Sequence, residues 1–355
     1  MQIIKVEVIP VELKLRHPVR ISSSVHLERV TAVYLRIETH EGINAWGCTV
    51  AHPDLTGEKP DHLIQTCQAG ADKAVSLHPT NIEYSLSELS TVVSESPAAL
   101  CAFDLAFHDL LGLAAGMPLY RLLGGYRNRI QTSVTIPVST LQESVEIAQQ
   151  RAIQGFRMFK VKGGLDPQED VERVRAIHRA LPQHLLRLDA DGGYSISQAL
   201  DVARALKDEL QMLEQPTQEE DIEGLRQVKQ NSPIPILADQ SLTGPASALQ
   251  LAASQSAHGL CIKLATCGGL RCAQQIDAIA RAAQISTMVS CVIEPALLIA
   301  AGLSFALSSP NVRYADLDGH LDLEDDPTIP GFKLEDGWLV ASDVPGLGCT
   351  VEINR

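Results

Sequence analysis

The chain contains 355 residues, of which 45% are hydrophobic and 20% are charged, the balance of an ordinary globular protein. That length is too great for one small core and fits a barrel-sized domain with a smaller companion. The formal net charge of −14 argues against a general nucleic-acid partner or an anionic membrane surface. No apolar run approaches the roughly 20 residues that span a bilayer.

The N-terminus and the cysteines bear on the compartment of the protein. The first residues alternate like a strand and do not have the pattern of a secretion signal. The eight cysteines form no Cys-x-x-Cys pair and no regular ladder of spacings. We therefore expect reduced thiols in a cytoplasmic enzyme.

The N-terminal third of the chain begins with strands and continues with helices. Alternating apolar runs at Val6–Leu13 and Ala32–Thr39 predict antiparallel strands. The segment Pro97–Gly112 is apolar on nearly every side, which predicts a buried helix. Two polar residues within it, His108 and Asp109, are expected to serve the core or a domain interface rather than catalysis.

The chain beyond residue 125 alternates short apolar runs with amphipathic segments, at the spacing of parallel βαβ units. Candidate strands lie at 131–135, 157–161, 185–189, 210–213, 234–238, 259–263, 286–289 and 312–316. Candidate helices lie at 140–153, 167–180, 196–208, 221–230, 245–253, 269–283 and 294–307. Eight strands with seven intervening helices favour an α/β barrel over an open sheet. The tail after residue 320, with short strands around Trp338, is expected to pack back on the N-terminal domain.

Two lysines stand at the end of the second barrel strand, the edge at which barrel enzymes carry out their chemistry. Lys160 and Lys162 face the same side because strand residues two apart share a face. A buried ammonium is costly unless it is paired. Two surface lysines at a solvated rim are the alternative, and this spacing alone favours that alternative.

The next three strands each end in a carboxylate, namely Asp189, Glu214 and Asp239, one βα unit apart. Carboxylates that converge on one point repel unless a cation lies among them, and hard oxygen ligands suit Mg²⁺. Any one of these acids could instead cap the following helix. That alternative explains three acids in register poorly, so we predict one Mg²⁺ site.

The sixth strand ends in Lys263, across the barrel from the second strand. A substrate held on the metal would have Lys162 on one face and Lys263 on the other. Bases on opposite faces of one carbon suit 1,1-proton transfer, which epimerises that carbon. Mg²⁺ and a second ammonium are expected to lower the pKa of a lysine. The metal would stabilise the enediolate that forms when the α-proton of a carboxylate leaves.

These residues together resemble the enolase superfamily, muconate-lactonising subgroup, over nearly the whole chain. Lys160-Val161-Lys162 is similar to its K-x-K motif, the three acids to its metal ligands, and Lys263 before Cys267-Gly268-Gly269 to its opposing lysine. The segment Ala102–Gly125 resembles its capping-domain helix signature. The resemblance implies a modified (β/α)₇β TIM-like barrel at 126–319. It also implies an α+β capping domain at 1–125, completed by 320–355.

The segment Asp316-Leu317-Asp318-Gly319 ends the last strand and is similar to the D-x-D motif of dipeptide epimerases. In that family the motif binds the α-ammonium of the substrate, while Mg²⁺ holds the anionic end. A turn before Gly319 is the alternative interpretation. By the same resemblance, Lys160, Thr135 and the segment Cys291 to Ile293 are expected to line the substrate, with Glu294 behind them. Lys160 is also expected to take part in catalysis with Lys162 and Lys263.

Two positions near the metal ligands depart from the family pattern. Gln240 follows Asp239 where the family often has Glu, and Asp191 stands where Asn is usual. The loss of an acid at position 240 alters the charge around Lys263, so the pKa of that lysine is left open.

The loop over the site carries a third departure. Val25 takes about the position at which epimerases acting on Ala-Glu carry an arginine, and neither Arg20 nor Arg29 is aligned to replace it. Val25, with Leu297 and Leu298 expected near the site, favours an apolar second residue in the substrate.

The resemblance thus implies a Mg²⁺-dependent dipeptide epimerase that forms a homo-oligomer, and the acidic net charge argues against a nucleic-acid or membrane partner. Muconate cycloisomerase, succinylbenzoate synthase and N-acylamino acid racemase are alternatives on the same scaffold. Their substrates lack a free α-ammonium, so Asp316 and Asp318 would have no partner. A barrel that binds metal and ligand without turnover is the alternative from another class, and the opposed lysines argue against it.

Overall fold

The computed structural model describes residues 1–20, 26–53 and 57–353. It begins with a three-stranded antiparallel sheet in the order β1 (Ile3–Arg20), β2 (His26–Thr39) and β3 (Asn44–Ala51). Alternate residues of β2, including Val33, Leu35 and Ile37, are buried against helices on one face of the sheet. The sequence predicted β1 and β2 in part and did not predict β3.

Helices with bounds in the described part of the chain follow this sheet: α1 (Pro60–Ala74), α2 (Ile82–Ser90), α3 (Pro97–Ala115) and α4 (Leu119–Leu122). The side chain of Ser96 caps the start of α3, and Gly116 ends it in the left-handed conformation at φ 63°. Within the described ranges, α3 is the one helix long and apolar enough to cross a membrane. Most of it is buried in the protein, as predicted, which is how the core helix of a globular fold behaves.

Eight parallel strands form a barrel and are hydrogen-bonded in sequence order. They are β5 (Val134–Ile136), β6 (Met158–Lys162), β7 (Leu185–Asp189), β8 (Leu210–Glu214), β9 (Ile236–Ala238), β10 (Gly259–Lys263), β11 (Ser286–Ser290) and β12 (Val312–Asp316). A parallel bridge between Thr132, two residues before β5, and Ala315 of β12 joins the two ends of this sheet. The predicted α/β barrel is therefore confirmed.

Helices connect the barrel strands. They are α5 (Leu141–Ile153), α6 (Pro167–Ala180), α7 (Ile196–Ala205), α8 (Ile222–Asn231), α9 (Pro245–Ser254), α10 (Leu264–Cys267), α11 (Leu270–Ala282) and α12 (Ala296–Ser308). Seven of them match predicted helices within three residues at each end, because their start signals are clear. For example, Thr140 and Glu143 form a capping box at α5. The short helix α10, directly after Lys263, was not predicted.

The predicted first barrel strand is in fact two strands. β4 (Arg129–Gln131) leaves the barrel and pairs with β15 (Trp338–Val340), which also pairs with β14 (Lys333–Glu335). The tail also contains a 3₁₀ turn at Gly319–Asp322 and the strand pair β13 (Thr328–Ile329) and β16 (Thr350–Val351). The tail therefore packs on the barrel as well as on the N-terminal region.

Polar residues of α3 tie the N-terminal region to the rest of the chain. Asp109 accepts hydrogen bonds from the backbone N–H groups of Trp46 (2.9 Å) and Leu347 (2.7 Å). His108 Nδ1 lies 2.6 Å from Asp104, whose other oxygen accepts from the N–H of Arg271 at the start of α11. These contacts agree with the predicted interface role of His108 and Asp109.

Strand register brings the charged strand ends to nearly one level. Lys162 is the register partner of Asp189, and Asp189 is the partner of Glu214. Across the barrel, Lys263 pairs in register with Ser290, and Ser290 with Asp316. The sequence places these residues at successive strand ends, and parallel pairing then gathers them at the C-terminal mouth of the barrel.

Candidate active site

Three buried carboxylates meet at the ends of β7, β8 and β9. Oxygens of Glu214 and Asp239 lie within 4.8 Å of each other, and oxygens of Asp189, Asp191 and Asp239 lie within 4.8 Å of one another. Glu214 Oε2 is buried and has no hydrogen-bond partner among the described residues. Burial and the neighbouring Asp189 raise the pKa of Glu214 to about 8. An unpaired oxygen in an all-carboxylate cluster fits a hard divalent cation, which would supply the missing partner and favour the ionised form.

Lys160 holds this acidic cluster together from below. Its Nζ lies 2.9 Å from Asp189 Oδ2, 3.0 Å from Glu214 Oε1 and 2.8 Å from Asp316 Oδ2. Burial alone would lower the pKa of Lys160, but Asp189 and the other carboxylates outweigh it and raise the pKa well above its usual value. Lys160 is therefore a protonated ammonium that is surrounded by three carboxylates, and it is not available to accept a proton.

Lys162 and Lys263 face each other across the mouth of the barrel, on strands β6 and β10. Lys162 donates to Asp189 (2.8 Å) and to both oxygens of Asp191, while Lys263 donates to Asp239. Burial opposes their charge, but the carboxylates prevail and raise the pKa of both lysines. The expected lowering of a lysine pKa therefore does not come from the protein side chains alone. It requires a cation that competes for Asp189 and Asp239.

Asp316, the last residue of β12, and Asp318, in the turn after it, have different surroundings. Asp316 is saturated, because its oxygens accept from Ser133 (2.6 Å), Ser290 (3.0 Å) and Lys160. Asp318 Oδ2 accepts from the backbone N–H of Thr135 at 2.6 Å, and among the described residues Oδ1 accepts from the Cys291 thiol at 3.7 Å. Burial and Asp316 raise the pKa of Asp318 to about 7. Asp318 is thus the member of the D-x-D segment with an oxygen available to a ligand.

A glycine fixes the turn that carries Asp318. A Cβ at Gly319 would collide with the carbonyl oxygen of Val292, and the Gly319 N–H donates to the Cys291 sulfur at 3.3 Å. Only glycine allows this close approach of the two loops. The turn and a carboxylate that lines the cavity are therefore both present, so the two interpretations of this segment do not exclude each other.

A cavity opens above these groups. Its lining consists of Val19, His52, Thr135, Pro137, Lys160, Lys162, Asp191, Gln240, Lys263, Cys291, Val292, Ile293, Asp316, Asp318, Gly319 and Asp322. The lining includes the expected Thr135, Cys291 and Ile293. Val25 lies outside the described residues. Glu294 is buried behind the cavity, where burial raises its pKa to about 8.

Leu297 and Leu298, expected near the site, are buried in the core on α12 and are not among the described residues that line the cavity. The helix is apolar on all sides, so the sequence pattern did not show which residues face the substrate. The apolar part of the wall comes instead from Val19, Pro137 and Ile293.

Gln240 and Asp191, the two residues that depart from the family pattern beside the expected metal ligands, contact each other. Gln240 Nε2 donates to Asp191 Oδ1 at 2.7 Å. The carboxylate of Asp191 thus lies beside Lys162 and not beside Lys263, whose side-chain partner is Asp239. The sequence left open how the neutral Gln240 affects the charge around Lys263. In the structure Asp239 is the carboxylate paired with Lys263.

Several supporting residues were not predicted. Gln215 Oε1 accepts from the N–H of Asp239 at 2.8 Å and so fixes that ligand. Arg187 is wholly buried below the site and donates to Ser133, which in turn donates to Asp316. A charged residue in the middle of an apolar strand was the available signal for Arg187. No local pattern marks Gln215 or Ser133, because their roles depend on contacts between strands.

Comparison with known proteins defines the class. The profile of the mandelate racemase / muconate lactonizing enzyme N-terminal domain matches residues 3–124, and the enolase C-terminal domain-like profile matches residues 143–354. Together these matches cover most of the chain. The chain belongs to the mandelate racemase / muconate lactonizing enzyme family, and its expected kinship with the dipeptide epimerases of that family is confirmed.

Three relatives illustrate that kinship. The L-Lys-D/L-Arg epimerase of Desulforapulum autotrophicum is 34% identical over 343 residues, which are 95% of this chain and 96% of the relative. The crystal structure of a dipeptide epimerase from Enterococcus faecalis with Mg and L-Leu-L-Tyr has a TM-score of 0.95 at 32% identity, covering 99% of this chain and 100% of that one. The Methylococcus capsulatus dipeptide epimerase with Mg and L-Arg-D-Lys has a TM-score of 0.93 at 32% identity, covering 98% and 99%.

Proposed function

We propose that this protein is a Mg²⁺-dependent dipeptide epimerase that inverts the α-carbon of the C-terminal residue. The observation that carries the proposal is the placement of Lys162 and Lys263 on opposite sides of a cavity that also contains Asp318. A dipeptide offers a carboxylate, an α-proton beside it and an α-ammonium. The cavity offers a partner for each of the three.

One cation would be held by Asp189, Glu214 and Asp239. The unpaired Glu214 Oε2 and the convergence of buried acids support this assignment. Mg²⁺ bound there supplies positive charge that stabilises the developing negative charge of the substrate carboxylate. Lys160 supports the same cluster from below and remains protonated.

Proton transfer is assigned to the opposed lysines. The lysine on one face takes the α-proton with the C–H electron pair left on the substrate, and the lysine on the other face returns a proton to the same carbon. The configuration of the α-carbon is inverted, and the substrate and product have the same atoms. The donor must be protonated and the acceptor neutral, so the two lysines exchange roles when the reaction runs in reverse.

The α-ammonium of the substrate is assigned to Asp318, with Asp316 as its support. Asp318 has the available oxygen, whereas Asp316 is fully hydrogen-bonded within the protein. Thr135, Cys291 and Ile293 are assigned to the wall around the dipeptide backbone. A substrate with an acylated N-terminus would leave Asp318 buried without a cation, which disfavours the N-acylamino acid alternative.

We assign an apolar side chain to the C-terminal residue, since Val19, Pro137 and Ile293 form the nonpolar wall. A basic side chain is the second candidate, because Asp322 also lines the cavity and its ion pair with Arg151 is long, at 3.4 Å. The relatives include enzymes described with L-Leu-L-Tyr and with L-Arg-D-Lys. The side chain must therefore be determined for this chain itself.

Incubation of a dipeptide library in D₂O with Mg²⁺ tests the proposal. We expect the mass gain of one deuterium at the C-terminal residue in a defined subset, enriched in apolar side chains. Exchange confined to Lys- and Arg-containing dipeptides would establish the second candidate. No exchange in any dipeptide, with Mg²⁺ binding shown by calorimetry, would overturn the function and favour acylamino acids, muconates or a binding role.

The remaining assignments concern the domain boundaries, the location in the cell and the oligomeric state. We place a capping domain at 1–125, completed by 320–355, and a barrel domain at 126–319, supported by the bond from Leu347 to Asp109. We assign the enzyme to the cytoplasm, where its eight free cysteines would stay reduced. A homo-oligomer is proposed from the family resemblance, and light scattering of the purified protein tests it.

A further inference from the structure

We propose that Asp191, held in place by Gln240, is a positioning residue that keeps Lys162 at its working position when Asp189 engages a cation. The inference rests on the proposed function, because it concerns one of the two lysines assigned to proton transfer. It adds a role for two residues outside the proposed ligand set. Oxygens of Asp191 lie within 4.8 Å of those of Asp189 and Asp239, but both Asp191 oxygens accept from Lys162.

The first observation is the geometry of the Asp191 carboxylate. Lys162 Nζ lies 2.8 Å from Oδ2 and 3.0 Å from Oδ1, so the ammonium is held by both oxygens. Gln240 Nε2 donates to Oδ1 at 2.7 Å. The opposite orientation of this amide would direct its oxygen at a carboxylate, so the hydrogen bond fixes the orientation of Gln240. Lys162, Asp191 and Gln240 therefore form one chain of contacts along the cavity wall.

The second observation is the backbone at Asp191. Its φ of 44° lies in the left-handed region, which aspartate tolerates better than most residues. Its N–H donates to Asp189 Oδ1 at 3.2 Å. This turn directs the side chain of Asp191 back over the end of β7 and toward Lys162. The carboxylate is therefore placed by the backbone and not by a flexible loop.

The third observation is an asymmetry between the two lysines. Asp189 and Asp239, one beside each lysine, both belong to the proposed ligand set. When these two carboxylates turn to a cation, Lys162 keeps Asp191 as an ion-pair partner. Lys263 has no second carboxylate within ion-pair distance among the described residues. Lys162 is thus anchored from outside the ligand set, whereas Lys263 is released into the cavity.

The consequence is confined to one face of the substrate. Weakening the anchor disturbs proton transfer by Lys162 and leaves transfer by Lys263 nearly intact. A residue with a general structural role would instead lower both transfers together. The two epimers of one dipeptide report the two faces separately, because each presents its α-proton to a different lysine.

The test measures α-proton exchange in D₂O for each epimer of an accepted dipeptide. Lys162→Ala and Lys263→Ala calibrate which epimer faces which lysine. Asp191→Asn should shift the ratio of the two exchange rates by about tenfold or more, in the direction of Lys162→Ala. Gln240→Leu should shift it the same way by less. Asp201→Asn, the same chemical change at an exposed position on α7, is the matched control and should leave the ratio unchanged.

Two further readouts do not depend on turnover. The melting temperatures of Asp191→Asn, Gln240→Leu and the double variant, measured without metal, should be non-additive because the residues share a hydrogen bond. Calorimetry should show that Asp191→Asn still binds Mg²⁺, with an affinity lowered by no more than the roughly 10- to 100-fold that substitutions beside metal ligands cost.

Each contrary result has a distinct meaning. Equal loss of exchange on both faces in Asp191→Asn, or additive melting temperatures, would overturn the positioning role. Loss of Mg²⁺ binding would make Asp191 a metal ligand, which also overturns it. Absence of exchange in the wild type, in any dipeptide, would instead remove the proposed function and this inference with it.

Discussion

The backbone N–H of Thr135 donates to Asp318 Oδ2 at 2.6 Å, and this bond joins the first barrel strand to the turn after the last one. The same bond orients the carboxylate so that its other oxygen is left for a ligand. Closure of the barrel and orientation of the proposed ammonium site therefore depend on the same hydrogen bond. Asp316, two residues earlier, is committed to Ser133, Ser290 and Lys160 and supports the site from within.

Asp318→Asn should weaken dipeptide binding, because a neutral amide replaces the carboxylate that meets the ammonium. We expect KM to rise about 10- to 100-fold, the range for loss of one charge-assisted hydrogen bond. Steady-state kinetics on a dipeptide and its N-acetyl derivative provide the measurement. The wild type should prefer the free ammonium strongly, and the variant should lose that preference. Equal use of both compounds by the wild type would contradict the assignment.

The pH dependence of binding should also report Asp318. Because burial and the neighbouring Asp316 and Asp322 raise its pKa to about 7, the carboxylate of the free enzyme is protonated at lower pH. The ratio of wild-type to Asp318→Asn kcat/KM should therefore rise with pH up to about 7. It should fall again above about 8, where the substrate amine loses its proton. A ratio that does not change between pH 5 and 9 would exclude an ion pair at Asp318.

Lys162→Ala and Lys263→Ala should each abolish epimerisation. We expect kcat to fall by at least ~10³-fold, since each variant lacks one of the two required proton-transfer groups. Each variant should still exchange the α-proton of a single epimer, and the two variants should act on opposite epimers. Chiral chromatography of the hydrolysed dipeptide, combined with mass spectrometry, separates these outcomes. Exchange of both epimers in either variant would contradict the two-base assignment.

Glu214→Gln should abolish the stabilisation of the folded protein by Mg²⁺. At about 100 times its dissociation constant, Mg²⁺ should raise the free energy of unfolding of the wild type by ~2.7 kcal/mol. Thermal denaturation with Mg²⁺ and with a chelator measures this difference. The variant should show none of it, whereas Glu220→Gln, an exposed control in the following loop, should respond like the wild type. An unchanged response in Glu214→Gln would place the ion elsewhere.

Asp109 should make folding stability depend on pH. Burial raises its pKa from 3.8 to about 6, so its contribution to stability is full below about pH 4 and is lost as pH rises through 6. That shift corresponds to ~3 kcal/mol. Asp109→Asn should be less stable, because one of its two backbone hydrogen bonds is lost, and should lack this pH step. Chemical denaturation of both proteins between pH 4 and 7 tests the difference, and parallel curves would contradict it.

Much of the barrel was predictable because hydrophobic residues recur with different periods in strands and in helices, and the two kinds of segment alternate along the chain. β7, β10 and β12 occupy the predicted residues, as does α6. The first strand was not predicted correctly. Pairing of β4 with the distant tail strand β15 divides it, and no local pattern reports a partner two hundred residues away.

The candidate site was predictable where it depends on strand ends. Lysines and acids at the ends of parallel strands must converge, so Lys162, Asp189, Glu214 and Lys263 could be grouped from spacing alone. Placement within α12 was not predictable, because Leu297 and Leu298 lie in a helix that is apolar on all sides. The contact between Gln240 and Asp191 also required the structure, since it joins loops after different strands.

The most direct test of the central claim follows one accepted dipeptide in D₂O with Mg²⁺, starting separately from its L,L and L,D forms. Chiral analysis of the C-terminal residue should show both samples approaching the same mixture of epimers. Deuterium should enter the α-carbon each time it is inverted, and a chelator should stop both processes. Retention of the starting configuration in both samples, with Mg²⁺ bound and the cavity intact, would contradict the assignment as a dipeptide epimerase.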